Sequence, residues 1–147
     1  MKLSLFLFAF SYLALANHKE FYFDKLQEQK EPIALTDSLI EGTFDQRIDH
    51  GSCCNFATFK QRYYVDSSLA SGENAPVFLY ICGESTCKQS SILGGAIREH
   101  AKKFGAHLIA LEHRYYGKSQ PFPKLTVENL KFLTTEYAVK DLATFLE

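Results

Sequence analysis

The sequence predicts an α/β fold, because two apolar runs flank a segment with helical periodicity. The runs are residues 77–82 and 108–112. Continuous apolar runs of this length are typical of strands that a parallel sheet buries on both faces. Between them, apolar side chains recur every three or four positions from Leu93 to Phe104, as on one face of a helix. We therefore expect a βαβ unit in which residues 77–82 form a central strand.

A hairpin is expected ahead of this unit. Residues 44–48 and 58–65 read as strands, and the second alternates apolar with polar side chains. The segment between them carries two cysteines, so the hairpin should have a cysteine-bearing loop.

Hydroxyl side chains precede each expected helix and can cap its first turn. The candidates are Ser90 or Ser91 for the first helix, Thr126 for a short second helix, and Thr134 or Thr135 for the third. Gly105 is placed to end the first helix. The third helix carries its apolar face at Ala138, Leu142, Phe145 and Leu146. It reaches Glu147 without a Gly, Asn or Pro stop, so we expect a parent chain that continues.

The first residues have the features of a secretory signal peptide. Lys2 precedes an almost wholly apolar stretch, and a small-x-small pattern predicts cleavage after Ala16. Residues 17–41 are charged and irregular and are expected to form a leader or flexible arm. We expect residues 42–147 to form one domain or a piece of one. We expect entry into the secretory pathway and no membrane span after cleavage.

Charge and cysteine content narrow the classes of partner. The 147 residues carry a formal charge of −1 with mixed signs, which does not favour a nucleic-acid partner. Four cysteines, Cys53, Cys54, Cys82 and Cys87, can form disulfides in a secreted protein. Adjacent Cys53 and Cys54 are not expected to bridge each other, which leaves a local link between Cys82 and Cys87 or two links between the pairs. A zinc site is an alternative use of these cysteines, but it lacks paired C-x-x-C spacing, and no metal site is predicted. No cofactor is predicted either.

The residues after the two buried strands are the candidates for chemistry, since the carboxyl ends of parallel strands face the ligand crevice. Gly83, Glu84 and Ser85 follow the first strand, and G-x-S-x-C nearly matches the G-x-S-x-G nucleophile elbow. One hypothesis makes Ser85 a nucleophile. A second gives Gly83 and Glu84 a role on the oxyanion side through their backbone, and the third is a plain turn, which the residues favour without the family resemblance described below.

The second strand leads into a run of histidine, arginine, tyrosine and glycine. We expect His113, Arg114 and Tyr115 to connect neighbouring loops at the strand ends. The five N–H donors of Arg114 can reach neighbouring carbonyls, and Gly117 permits the turn that returns the chain. Three further histidines are interpreted as structural: His50 beside Asp49, His100 on its helix and His107 at a strand start.

Several separate segments match a known peptidase family in order. They are residues 46–50 (QRIDH), 58–63 (TFKQRY), 76–84, 112–119 (EHRYYGKS), 125–126 and 130–132. On these segments, residues 44–147 resemble the N-terminal part of the serine carboxypeptidase S28 family. Gly51 and Cys82 depart from it, because the family usually has Phe and Gly at those positions.

The resemblance implies an α/β-hydrolase core with a helical cap and a Ser, Asp, His triad that cleaves short peptides near proline. In this order of residues the triad lies beyond Glu147. We therefore expect the front portion of an extracellular or lysosomal exopeptidase, with no catalytic residue of its own and a peptide as substrate. An inactive truncated relative that binds a partner is the alternative. Carboxypeptidase or dipeptidyl peptidase specificity and the oligomeric state stay open.

Overall fold

A computed structural model describes residues 38–147. The expected signal peptide and most of the expected arm lie outside these residues. The first strand begins at Leu39, so the last three residues assigned to the arm belong to the sheet instead.

Four strands form one mixed sheet, which makes this an α/β structure. The strands are β1 Leu39–Arg47, β2 Thr58–Asp66, β3 Val77–Ile81 and β4 His107–Leu111, in the spatial order β1-β2-β4-β3. The expected hairpin is present, since β1 and β2 pair antiparallel with Gly42 opposite Tyr63. The first strand is five residues longer at its start than its sequence pattern indicated.

The βαβ unit is confirmed by the parallel pairing of β3 with β4, in which Val77 lies opposite His107. Its helical part consists of two helices, α1 Ser90–Leu93 and α2 Gly95–Phe104. The expected single helix is interrupted because Gly94 adopts an extended backbone. The expected Ser90 or Ser91 cap is also wrong, because Gln89 precedes α1 and makes no side-chain capping bond.

Glycine ends α2 as expected. Gly105 adopts the left-handed conformation at φ 59°, and its N–H donates to the carbonyl of Ala101. An L side chain would be strained at this φ.

The C-terminal helices are α3 Val127–Leu130 and α4 Thr135–Leu146. Both begin as expected, because the hydroxyls of Thr126 and Thr134 each accept a hydrogen bond from a backbone N–H in the first turn. The inner face of α4 differs from its apolar pattern: Asp141 is almost fully buried, whereas Leu146 is 60% exposed.

Burial is concentrated around β4, which lies between β2 and β3. Leu108, Ala110 and Leu111 are buried there. The expectation that β3 is central is wrong for the described residues: β3 forms an edge, and Val77 and Ile81 are 51% and 56% exposed. Among residues 38–147 no helix is long and apolar enough to cross a bilayer.

Candidate active-site rim

Three loops meet where β3 and β4 end. We call this end of the sheet the rim, and it consists of residues 48–57, 82–89 and 113–120. Strands β3 and β4 run parallel and end there. The hairpin loop reaches the same edge because β2 is antiparallel to β4. The sequence therefore brings both strand-end segments of interest to one side of the sheet, as expected for parallel strands.

A disulfide closes the loop that follows β3. Cys82 and Cys87 are linked and buried, which selects the local pairing of the alternatives left open by the sequence, and Cys53 and Cys54 are free. Between the linked cysteines, Gly83, Glu84 and Ser85 are exposed. A Cβ at Gly83 would meet no atom within 4 Å, so the backbone here is open to a ligand.

Glu112 connects this loop to the one that follows β4. Its carboxylate is fully buried and accepts hydrogen bonds from the backbone N–H groups of Cys87 (2.9 Å) and Lys118 (3.0 Å). It also accepts from the Ser119 hydroxyl at 2.7 Å and from the Arg62 guanidinium. Glu112 was not singled out from sequence, although it begins the EHRYYGKS segment.

Glu112 in turn stabilises the charged form of Arg62. Burial alone would lower the pKa of Arg62, but the hydrogen bond and the charge of Glu112 raise this pKa above its ordinary value. Gly117 fits closely over the same carboxylate at φ +53°, where a Cβ would overlap Oε1 of Glu112. The sequence anticipated the turn at Gly117 but not the close approach.

Arg114 lies at the centre of a second buried network. Its Nε and Nη2 atoms donate to the two carboxylate oxygens of Asp141, at 2.7 and 2.5 Å. The remaining donors reach three backbone carbonyls, those of Arg47, Ile48 and Phe132, at 3.0 to 3.2 Å. Arg114 thus connects the end of β4 with the hairpin and with α4, and it is completely buried.

His50 joins the same carboxylate from the hairpin loop. Its Nε2 lies 2.7 Å from Oδ1 of Asp141, so His50 pairs with Asp141 and not with its sequence neighbour Asp49. Asp49 instead accepts from the Tyr137 hydroxyl (2.8 Å) and the Gly51 N–H (2.8 Å), which lowers the pKa of Asp49. The Tyr137 bond in turn raises the pKa of Tyr137.

Asp141 is the main residue that sequence reasoning missed. It is 91 positions from His50 in the chain, and its helical neighbours gave an apolar pattern. The detectable signal was a charged residue at the centre of that apolar face, which requires a buried partner.

The other rim residues make local contacts. His113 is partly exposed, and its Nδ1 lies 2.8 Å from the carbonyl of Arg114. Tyr115 is buried with φ 70°, an uncommon backbone conformation for a tyrosine, and its hydroxyl donates to the carbonyl of Asn129.

The histidines away from the rim are placed as expected in part. His107 begins β4, and its ring contacts the Ser67 hydroxyl (2.9 Å) and the Gly72 carbonyl (3.1 Å). His100 lies on α2 but is exposed. Within residues 38–147, His107 and Ser67 form the hydrogen bond between a histidine and a serine side chain. This bond lies at the opposite ends of the strands from the rim.

Among residues 38–147, the rim holds no serine that is hydrogen-bonded to a histidine, so it lacks a nucleophile–base pair. Ser85 makes a backbone bond to Gly83 and no hydrogen bond to a histidine. Ser119 is fully buried and donates to Glu112. What the rim offers is an exposed backbone loop held by buried carboxylates, beside a pocket of about 230 Å³ between the strand ends and α4. That pocket is mainly apolar and includes Ile81, Leu111, His113, Ala138, Val139 and Leu142.

A parallel βαβ unit with an exposed loop at its strand ends is typical of α/β enzymes, which bind their ligands at this end of the sheet. Residues 46–147 match the family described as serine carboxypeptidase S28. The chain belongs to the serine carboxypeptidase S28 family.

Curated relatives agree with this assignment. The chain is 46% identical over 102 residues to "Probable serine protease EDA2" of Arabidopsis thaliana, covering 69% of this chain and 20% of the relative. It is 36% identical over 104 residues to the thymus-specific serine protease of Mus musculus (71% and 20%). It is 32% identical over 106 residues to the lysosomal Pro-X carboxypeptidase of Mus musculus (70% and 22%). The chain thus spans about a fifth of the length of these relatives.

Proposed function

We propose that this chain is the N-terminal part of a serine-type exopeptidase that acts on short peptides near proline. The observation that carries the proposal is the family match over residues 46–147, together with the fact that the aligned segment is only about a fifth of the relatives' length. In the proposed parent enzyme, the Ser, Asp and His triad lies in sequence beyond Glu147.

The open edge of β3 supports this proposal. Val77, Tyr80 and Ile81 are exposed along a strand whose second side lacks a partner within residues 38–147. An apolar strand with an unpaired edge is stabilised by a further strand. We assign that position to a strand that follows α4 and carries the nucleophilic serine.

In this proposal the rim provides the backbone donors that stabilise the oxyanion. The N–H groups of Gly83 and Glu84 supply the electrostatic stabilisation, since donors fixed before reaction cost no reorganisation. The disulfide and Glu112 hold this loop, and His113, Arg114, Tyr115 and Gly117 support it from β4. The expected destination is extracellular or lysosomal, through the secretory pathway.

The test begins with sequencing of the native transcript beyond the Glu147 codon. We expect an open frame that soon encodes an apolar strand and G-x-S-x-G. The protein from that frame should react with a fluorophosphonate at this serine and cleave proline-containing peptides, whereas the 147-residue chain should not react. A stop codon directly after Glu147 in the native transcript would refute the proposal in favour of an inactive relative.

A second measurement tests the alternative hypothesis that Ser85 is the nucleophile. If the 147-residue chain is labelled, and Ser85→Ala abolishes that labelling, the chain has its own nucleophile and the proposal is wrong. Thr86→Ala is the matched control, because it changes a neighbouring exposed hydroxyl of the same loop.

A further inference from the structure

Two buried glutamines lie between the sheet and α4, and they donate to neither the Glu112 nor the Asp141 carboxylate. Gln46 on β1 and Gln61 on β2 are 0% and 1% exposed. A buried amide costs free energy unless its polar atoms are paired, and an apolar side chain of similar size would fill the space without that cost. The partners of the two amides therefore indicate what they contribute.

The two amides form a chain of hydrogen bonds that ends on backbone at both sides. Nε2 of Gln46 donates to the carbonyl of Asp141 on α4 at 2.9 Å and to Oε1 of Gln61 at 3.0 Å. Nε2 of Gln61 donates to the carbonyl of Glu112 at 2.7 Å. Glu112 is the last residue before the rim loop 113–120. We call this chain of bonds the glutamine relay.

The partners give both amides a single orientation. The carbonyls of Asp141 and Glu112 can only accept, so each of them must face an amide NH₂ group. Reversal of either amide would place its oxygen against a carbonyl oxygen. The oxygen of Gln46 accepts from the backbone N–H of Arg47 at 3.0 Å. The relay therefore joins one point on α4 to one point at the end of β4.

Aromatic rings hold α4 on the same face of the sheet. The ring of Phe145 on α4 lies 5.4 Å, between centroids, from the rings of Phe44 and Tyr63. Phe44 shares a face of β1 with Gln46, because side chains two positions apart point the same way. Tyr63 shares a face of β2 with Gln61. Apolar contact has no preferred direction, whereas a hydrogen bond to one carbonyl does. The relay thus sets where along its axis α4 rests on the sheet.

We propose that Gln46 and Gln61 are positioning residues of the peptidase site. The inference rests on the proposed function, in which the strand after α4 carries the nucleophilic serine and the rim carries the oxyanion donors. The relay ends on the backbone of Glu112, whose carboxylate accepts from Cys87 in the loop 82–89. It therefore connects the helix that leads to the nucleophile with the loop that supplies the donors, and neither glutamine touches substrate.

The test uses the longer protein from the native reading frame and measures its steady-state cleavage of a proline-containing peptide. The rate is expressed per serine titrated with a fluorophosphonate, so that a misfolded fraction does not lower kcat. We expect Gln61→Met to lower kcat at least about 10-fold, because a misplacement of about 1 Å can cost up to about 100-fold. KM should change little, since positioning acts mainly in the transition state.

Gln46→Met provides the second arm of the test. If both amides act through one relay, the double variant should lose no more rate than the weaker single variant, because residues that act as a unit are not additive. Losses that multiply would show that the two glutamines act separately and would overturn the relay. Lys60→Met is the matched control: Lys60 precedes Gln61 on the same strand but is 64% exposed, so kcat should not change.

Hydrogen exchange in the same protein measures the position of the rim directly. Gln46→Met should increase exchange in residues 113–120, although Gln46 lies on another strand. Unchanged exchange there, or an unchanged kcat per titrated serine in Gln61→Met, overturns the inference while the proposed function stands. A native longer protein without peptidase activity refutes the proposed function, and the inference fails with it.

Discussion

Glu112 and Asp141 are both buried carboxylates that pair with an arginine beside the rim, but they hold different parts of the molecule. Glu112 receives two backbone N–H groups and a hydroxyl, and it organises the two loops that follow β3 and β4. Asp141 receives side-chain donors from Arg114 and His50, and it attaches α4 to the sheet and the hairpin. One carboxylate shapes loops, and the other joins secondary-structure elements.

The difference indicates how the two networks should fail. Loss of the Asp141 network separates elements that are far apart in sequence, so its cost should appear in global unfolding. Loss of the Glu112 network leaves the strands in place and should loosen the loops first, because local opening follows the least supported segments.

The largest expected effect tests the Asp141 side. Arg114→Ala leaves the carboxylate of Asp141 and three carbonyls without their main donor in a buried site. Removing one partner of a buried ion pair typically costs about 3–5 kcal/mol, and urea unfolding should show a loss of this size. Arg114→Lys is the control: it keeps the charge but not the forked geometry, so its loss should be smaller. A loss below about 1 kcal/mol for Arg114→Ala would contradict the role given to this network.

The next effect tests the Glu112 side. Gly117→Ala places a Cβ against Oε1 of Glu112 and forces an L residue to adopt φ +53°. Overpacking of this kind costs about 1–3 kcal/mol, and hydrogen exchange should increase in residues 82–89 and 113–120. Gly72→Ala is the matched control, because a Cβ there would meet no atom within 4 Å and should leave stability unchanged. Equal effects of the two substitutions would remove the evidence for close packing over Glu112.

A third carboxylate, Asp66, provides a reference away from the rim. Burial by itself raises the pKa of Asp66, but hydrogen bonds from Ser68 and Arg98 outweigh it and lower the pKa below 3.8. Because the folded-state pKa is depressed, the stabilisation is present above the unfolded value and is lost as pH falls through the folded value.

Asp66→Asn should therefore destabilise the protein near neutral pH, and its difference from the native chain should shrink between about pH 5 and pH 2. Unfolding curves of both proteins across this range provide the measurement. A difference that stays constant or widens on acidification would show that the Asp66 charge does not contribute as stated.

The smallest expected effect concerns an exposed pair with an equally short contact. Lys60 Nζ lies 2.6 Å from Asp45 Oδ2, but the two side chains are 64% and 59% exposed. Water and salt screen such pairs, so Asp45→Asn should change the unfolding free energy by less than about 1 kcal/mol. A loss comparable to that of Arg114→Ala would mean that distance, and not burial, decides the strength of these contacts.

Much of the fold follows from local sequence patterns. The alternation in residues 58–65 gave the hairpin, and the two apolar runs gave the parallel pair β3 and β4. The helix caps at Thr126 and Thr134 could be predicted from sequence, because each hydroxyl accepts a hydrogen bond from the N–H group three positions further along the chain.

The errors have physical causes. The apolar run of β3 indicated burial on both faces, but burial depends on what covers a strand, and a strand's own residues do not contain that information. The helix was expected to be continuous because its apolar spacing continued through Gly94, but the backbone is extended at Gly94 and turns at Gly95, where φ +74° is a conformation that glycine favours. Asp141 was missed because its partners come from residues 50 and 114, and a long-range pairing leaves no local pattern.

The order of the strands has a consequence for how the chain folds as it is made. The strand at the centre, β4, is the last of the four in sequence, so β3 has no partner until residues 107–111 have left the ribosome. The hairpin can close early because its contacts are local, whereas β3 must wait through α1 and α2. Parallel pairing over such a separation is slow and leaves apolar strands exposed in the meantime. During synthesis, residues 77–81 are therefore the strand of this sheet that stays longest without a partner.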